Sequence, residues 1–96
     1  MTSLFSEKLS KNQFVITTEL NPPKGTDLEP LISKALALRD SIDAFNLTDS
    51  HSAKMSMAPI AAAHKLKINN IESILQVACR DKNRISLQGD LLAAHA

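Results

Sequence analysis

The sequence predicts an α/β fold in which parallel strands alternate with helices, and three observations carry that prediction. Three apolar stretches with strand character, around residues 14–19, 42–48 and 73–78, are each followed by a helical pattern. They recur at intervals of about 30 residues, the length of one βα repeat. Each also ends in a polar cluster: Glu19 before NPPKG, then NLTDSH, then QVACRD. Alternation with short links sets the strands side by side in one parallel sheet joined by right-handed crossovers. Ligands of such sheets sit beyond the carboxyl ends of the strands, in open sheets and closed barrels alike, and all three polar clusters fall on that edge.

The chain opens with a short helix over residues 3–11, where Leu4, Phe5 and Leu9 form a narrow apolar side and Ser3 is placed as N-cap. Residues 14–19 are the first strand, with Phe14, Ile16 and Thr18 on one face and Val15, Thr17 and Glu19 on the other. Pro22 and Pro23 cannot donate to a ladder and Gly25 tolerates unusual backbone angles, so the strand stops near Leu20. Asp27 as N-cap of the next helix puts Pro30 at N3, where its missing N–H costs no helical bond, whereas Thr26 would put it at N4 and forfeit one. Leu28, Leu31, Ile32, Ala35 and Leu36 then recur at helical spacing and give the helix one core face, ending near Arg39.

Residues 42–48 form the second strand, with Asn46 and Thr48 on one face. The loop SHSAKMSM leads to a helix over residues 59–67, with Ser56 as its cap, Pro59 in its first turn and three consecutive alanines to keep it slim. Asn69 and Asn70 make the turn into the third strand, residues 73–78. Asp81 or Asn83 caps a last helix from Arg84, which is still apolar at LLAAHA and reads as cut off rather than finished.

Composition removes several classes of function. A chain of 96 residues holds one domain at most, with a modest core. Eleven basic residues against ten acidic ones, and three Phe as the sole aromatics, provide neither a basic nucleic-acid surface nor a base-stacking platform. Cys79 alone excludes an internal disulfide and a cysteine-based zinc framework, and agrees with a reducing cytosol. No run is apolar enough to cross a bilayer, and MTSLFSEKLSKNQF lacks the core of a secretory signal. The reading is a cytoplasmic protein without membrane or nucleic-acid partner. His51, His64 and His95 are scattered without metal-ligand spacing, Met55 and Met57 read as padding, and Cys79 is expected to point into packed helix, opposite Gln76 and Ala78.

A strand-end Glu commonly faces water or caps the next helix, and Glu19 alone would carry no more than that. Its weight comes from the company of two further polar strand ends. TTELNPPKG, DAFNLTDSHSAKMSMAPIA and ILQVACRDKNRISLQGDLL together resemble, in order and spacing, the N-terminal part of the methylenetetrahydrofolate reductases, flavoenzymes of one-carbon metabolism. The likeness is to the bacterial branch with the PPKG turn and the CRDKNR segment, and it runs from about Phe14 to the end of the chain.

The resemblance implies a (β/α)8 TIM barrel that binds FAD at the carboxyl ends of its strands and reduces 5,10-methylenetetrahydrofolate to 5-methyltetrahydrofolate, with NAD(P)H or another donor reducing the flavin. It implies that Glu19 is the general acid that opens the folate's imidazolidine ring to an electrophilic iminium. A carboxyl group in that role must hold its proton near neutral pH, which burial supplies by disfavouring the anion. It further implies a flavin contact at Thr48, which could equally be an ordinary β-branched strand residue, with Asp49, Ser50 and His51 in the adjoining loop. Gln76 stands where other branches carry a histidine near the flavin, and an amide still offers hydrogen bonds there. Ala78 replaces a common Thr and removes a hydroxyl. Arg80 either reaches a cofactor phosphate or pairs with Asp81. Asn21 and Lys24 are site-edge residues by position, and the family's second acidic residue matches nothing before Ala96.

A barrel of this kind takes roughly 250 residues, so the resemblance implies a partial barrel over residues 1–96, ending after the third βα unit and completed by a missing C-terminal portion. The alternative is a non-catalytic piece that self-associates through the open edges of its sheet.

Overall fold

A computed structural model describes residues 3–96 of the chain. Helix α1 (Leu4–Ser10) starts as expected on Ser3, whose hydroxyl accepts the Ser6 N–H at 3.0 Å. Asn12, at φ 54°, takes the left-handed position that ends it, with Gln13 N–H returning to the Lys8 carbonyl at 3.0 Å. Strand β1 (Thr17–Leu20), helix α2 (Glu29–Leu38), strand β2 (Ala44–Leu47), helix α3 (Pro59–Ile68), strand β3 (Ser73–Leu75) and helix α4 (Arg84–His95) follow in strict alternation. The strands form one parallel sheet in the order β1-β2-β3. This is the predicted α/β arrangement as an open three-stranded sheet, consistent with part of a barrel.

Register decides which side chains go inside. Thr18 pairs with Phe45 and Leu20 with Leu47, and Phe45 and Leu47 pair in turn with Ser73 and Leu75. That face meets Leu31, Ile32 and Ala35 of α2 and Ala62 and Leu66 of α3, and with Ile71 they make the core. Ala62 is fully buried, so the alanines of α3 do keep it slim where it crosses the sheet. The opposite face carries Thr17, Glu19, Ala44, Asn46 and Ile74. On it Thr17 and Glu19 are exposed, Asn46 and Ile74 half-buried, and the small Ala44 buried. The molecule therefore has a helix-covered side and a helix-free side.

The turn from α3 into β3 is a Schellman motif. Asn70 sits at φ 57°, Ile71 N–H reaches the Leu66 carbonyl at 2.9 Å, and Asn70 N–H reaches that of Lys67 at 3.0 Å. Ile71 and Leu66 are both buried, which is the apolar contact this motif brings. At the amino edge of the sheet, Glu72 accepts the N–H groups of Leu4 and Phe5 at 2.6 and 3.0 Å, and Lys8 pairs with Asp43. A cavity of about 580 Å³ lies under α1 there, away from the carboxyl edge.

Several boundaries differ from expectation. The first strand begins at Thr17 rather than Phe14, because the ladder starts where Asp43 N–H meets the Ile16 carbonyl at 2.8 Å, and Phe14 beyond it is 86% exposed. Helix α2 has Leu28 at the cap position, with Pro30 in the first turn, although Asp27 still accepts the Glu29 N–H at 3.0 Å. Ser56 does not cap α3; the N-cap is Ala58, without a side-chain bond. Leu36 is 43% exposed at the margin of its helix face. Asn83, not Asp81, caps α4, accepting the Ser86 N–H at 2.8 Å. Cys79 is exposed rather than packed against helix.

Candidate active site at the carboxyl edge

Glu19 is the penultimate residue of β1 and lies opposite Asn46 of β2 on the helix-free face. The Asn46 amide is turned toward β1 by donating to the Thr17 hydroxyl at 3.1 Å. Gln76, two residues beyond Ile74, continues that row and is exposed, while its backbone N–H extends the ladder to the Leu47 carbonyl at 3.1 Å. An acid and two amides thus stand on one side of the sheet, near its carboxyl edge.

Beyond the edge the loops are tied to one another. Thr48 is 2% exposed, and its hydroxyl donates to the Asn21 side-chain oxygen at 2.6 Å, joining the loops after β1 and β2. Met57 N–H donates to the Pro23 carbonyl at 2.7 Å, which fastens the same two loops a second time. Asp49 accepts the Ala78 N–H and the Lys82 ammonium, both at 2.8 Å, and so joins the loops after β2 and β3. Arg80 donates to the Ser50 carbonyl at 3.2 Å and pairs with Asp81 at 2.8 Å. Ser50, Ser52 and Ala53 have φ of 48°, 57° and 59°, left-handed angles that cost non-glycine residues energy and shape the short 3₁₀ turn His51–Ala53.

Burial pushes the Asp49 carboxyl up, but the Lys82 and Ala78 hydrogen bonds and the charges of Lys82 and Arg80 outweigh it and hold the group below its ordinary value. The Asp49 hydrogen bond in turn raises Lys82 above its ordinary value against the effect of its own burial, with Asp90 helping at 3.1 Å. Both groups are charged at neutral pH. No cluster of metal-ligating side chains occurs among the described residues, and no helix of these residues is long and apolar enough to cross a membrane.

The family model for methylenetetrahydrofolate reductase matches residues 4–96. The chain belongs to the methylenetetrahydrofolate reductase family. No curated protein and no solved structure matches it. Membership makes the chain part of a family of folate oxidoreductases.

Within that family frame, the residues singled out in the sequence separate into groups. Glu19 and Gln76 are presented on the helix-free side, and Glu19 is exposed there rather than buried. Thr48, Asp49 and Arg80 spend polar atoms on contacts within the chain, and His51 is exposed in the loop beyond them. The surface-pair alternative for Arg80 is the one observed, although a guanidinium has five N–H donors and keeps some for an anion. In donor and acceptor chemistry Gln76 and Arg80 fit a flavin, the amide by offering both to a heterocycle edge and the guanidinium by its remaining N–H groups, whereas the Lys82 ammonium is spent on Asp49 and Asp90. Lys82 was not legible as a site residue. Its partner lies 33 positions earlier, and a lysine before a helix carries no periodic signal.

Proposed function

We propose that this chain forms one sector of a site for FAD-dependent reduction of 5,10-methylenetetrahydrofolate to 5-methyltetrahydrofolate, with Glu19 as its acid. The observation that carries the reading is the placement of Glu19 at the end of β1, across from Asn46 on the helix-free side, in a chain that matches the family over residues 4–96. Gln76 and Arg80 hold the cofactor in this reading, and Thr48, Asp49, Ser50 and His51 form the loop beside it. FAD, once bound and reduced by NAD(P)H or another donor, supplies hydride. Glu19 gives a proton to an imidazolidine nitrogen of the folate, which opens the ring and leaves the methylene carbon electrophilic. An exposed Glu19 requires the helix-free face to be covered for this step, which is what the remaining units of a closed barrel would do.

The test is a titration of the chain into FAD, followed by flavin fluorescence together with the state of association. Saturable binding weakened by Gln76→Ala and by Arg80→Ala is the expected result, and wild-type chain that leaves flavin fluorescence untouched would remove the cofactor from the reading. In an active assembly containing the chain, Glu19→Gln is expected to keep flavin and lose folate reduction; turnover at the wild-type rate would sink the role of Glu19.

A second reading is favoured by β1 and β3 both ending the sheet with unpaired ladder groups. In it the chain is a non-catalytic assembly piece that pairs through those edges. Concentration-dependent association without flavin binding supports it, and a monomer at every concentration tested counts against it.

A further inference from the structure

Among the described residues, Lys82 joins three elements at the carboxyl edge through its side chain. Its ammonium lies 2.8 Å from Asp49 in the loop after β2 and 3.1 Å from Asp90 in α4, while Lys82 itself belongs to the loop after β3. Asp49 is held from a second direction by the Ala78 N–H at 2.8 Å, so the carboxylate bridges backbone and side chain of the same β3 loop. The side chains of Asp49 and Lys82 are 11% and 21% exposed, which limits the competition from water that makes surface pairs weak. Lys82 also lines, with Pro59, Leu75, Gln76 and Asp90, a small cavity of about 30 Å³ where the end of β3 meets α3 and α4.

We propose that Lys82 is a positioning residue: through Asp49 and Asp90 it locks the loops after β2 and β3 to α4 and thereby sets where Gln76, Arg80 and His51 stand relative to one another. Its effect on ligand binding rests on the reading of the site given above; the lock itself does not. The geometry explains why Asp49 and Ser50 occupy one short stretch with different tasks. Asp49 turns inward to Lys82, and the Ser50 carbonyl turns to Arg80. Loss of the ammonium leaves Asp49 a half-buried anion with one remaining partner, and such a group draws in water and loosens its loop.

The experiment compares wild-type chain with Lys82→Met, which keeps the stem and removes the charge, and with Lys82→Arg, which restores a cation. Amide hydrogen exchange is read at Ala78 and, as an internal control, at Phe45, whose N–H pairs with the Glu72 carbonyl at 3.0 Å in the sheet. Flavin affinity is measured on the same three proteins. Lys82→Met is expected to speed exchange at Ala78 by about tenfold or more with Phe45 unchanged, and to weaken flavin binding, with Lys82→Arg recovering most of both. Unchanged exchange at Ala78 in Lys82→Met overturns the proposal. So does weakened flavin binding with Ala78 still protected, because Lys82 would then touch the ligand itself. Faster Ala78 exchange in a chain that binds no flavin even as wild type supports the lock and removes the flavin reading instead.

Discussion

Leu47→Ala and Asn46→Ala alter neighbouring residues of the central strand that point to opposite sides of the sheet, and the one-sided core predicts very different outcomes for them. Leu47 is fully buried, stands between Leu20 and Leu75 in the register, and belongs to the cluster with Leu66 of α3. Truncating a Leu in such a place costs about 3 kcal/mol, made of lost transfer energy and a cavity that the packed helices can close only in part. Asn46 is half-buried and gives up one hydrogen bond to the Thr17 hydroxyl, a loss of about 0.5–1 kcal/mol that water offsets in part. A chain of this size unfolds in urea with a slope of about 1–1.5 kcal/mol/M, so the midpoint is expected to fall by roughly 2–3 M for Leu47→Ala and by under about 1 M for Asn46→Ala. The assay is urea unfolding followed by far-UV circular dichroism at a fixed low protein concentration, so that association does not contribute. Equal shifts for the two variants would refute the reasoning, since they would mean that the face carrying Glu19 is as closely packed as the face under the helices.

Other outcomes follow from the polar ties. Glu72→Ala removes the acceptor of two N–H groups of α1 and is expected to cost about 1–2 kcal/mol, read as faster amide exchange in Leu4–Ser10 while Leu47 stays protected. The Asp49–Lys82 pair sets a pH window. Asp49 is lowered on folding, so its contribution is present above its ordinary value of 3.8 and is lost as pH falls through the lower folded value. Lys82 is raised, so its contribution is present below its ordinary 10.5 and is lost as pH rises through the higher folded value. The difference in unfolding midpoint between wild type and Lys82→Met is therefore expected to be flat from about pH 5 to 9 and to shrink at both extremes; a difference independent of pH across the whole range would contradict the pair.

What could be read from the residues, and what could not, divides by distance along the chain. The alternation in FVITTE put Glu19 on the face of Thr17 and away from Thr18, as the register has it, because a pleated strand has a period of two whatever it packs against; which of the two faces the helices cover was not in it. Local chemistry likewise placed Ser3, Asn70 and Asn83 at helix ends. Ser56 failed as a cap because a hydroxyl three residues before Pro59 lies outside the first turn, and nothing nearby says so. Cys79 followed the strand alternation on paper, but β3 ends at Leu75 and the period no longer applies four residues later. The partnership of Asp49 with Lys82 and of Glu72 with α1 depends on register and crossover, which no short window contains.

The grip of Glu72 on the first helix has a consequence for biosynthesis. Its oxygens meet the N–H of Leu4 across 68 positions and Lys8 meets Asp43 across 35, so α1 gains its distant anchors one after the other as the chain is made. At the usual rate of synthesis, about 5–20 residues per second, the longer of these intervals is roughly 3–14 s. Until Asp43 is made α1 rests on Ser3 and its own turns alone, a length at which an isolated helix is mostly unwound. Helix α1 is thus fully tied down only as β3 begins, and Leu4, Leu9 and Phe14 stay exposed even then.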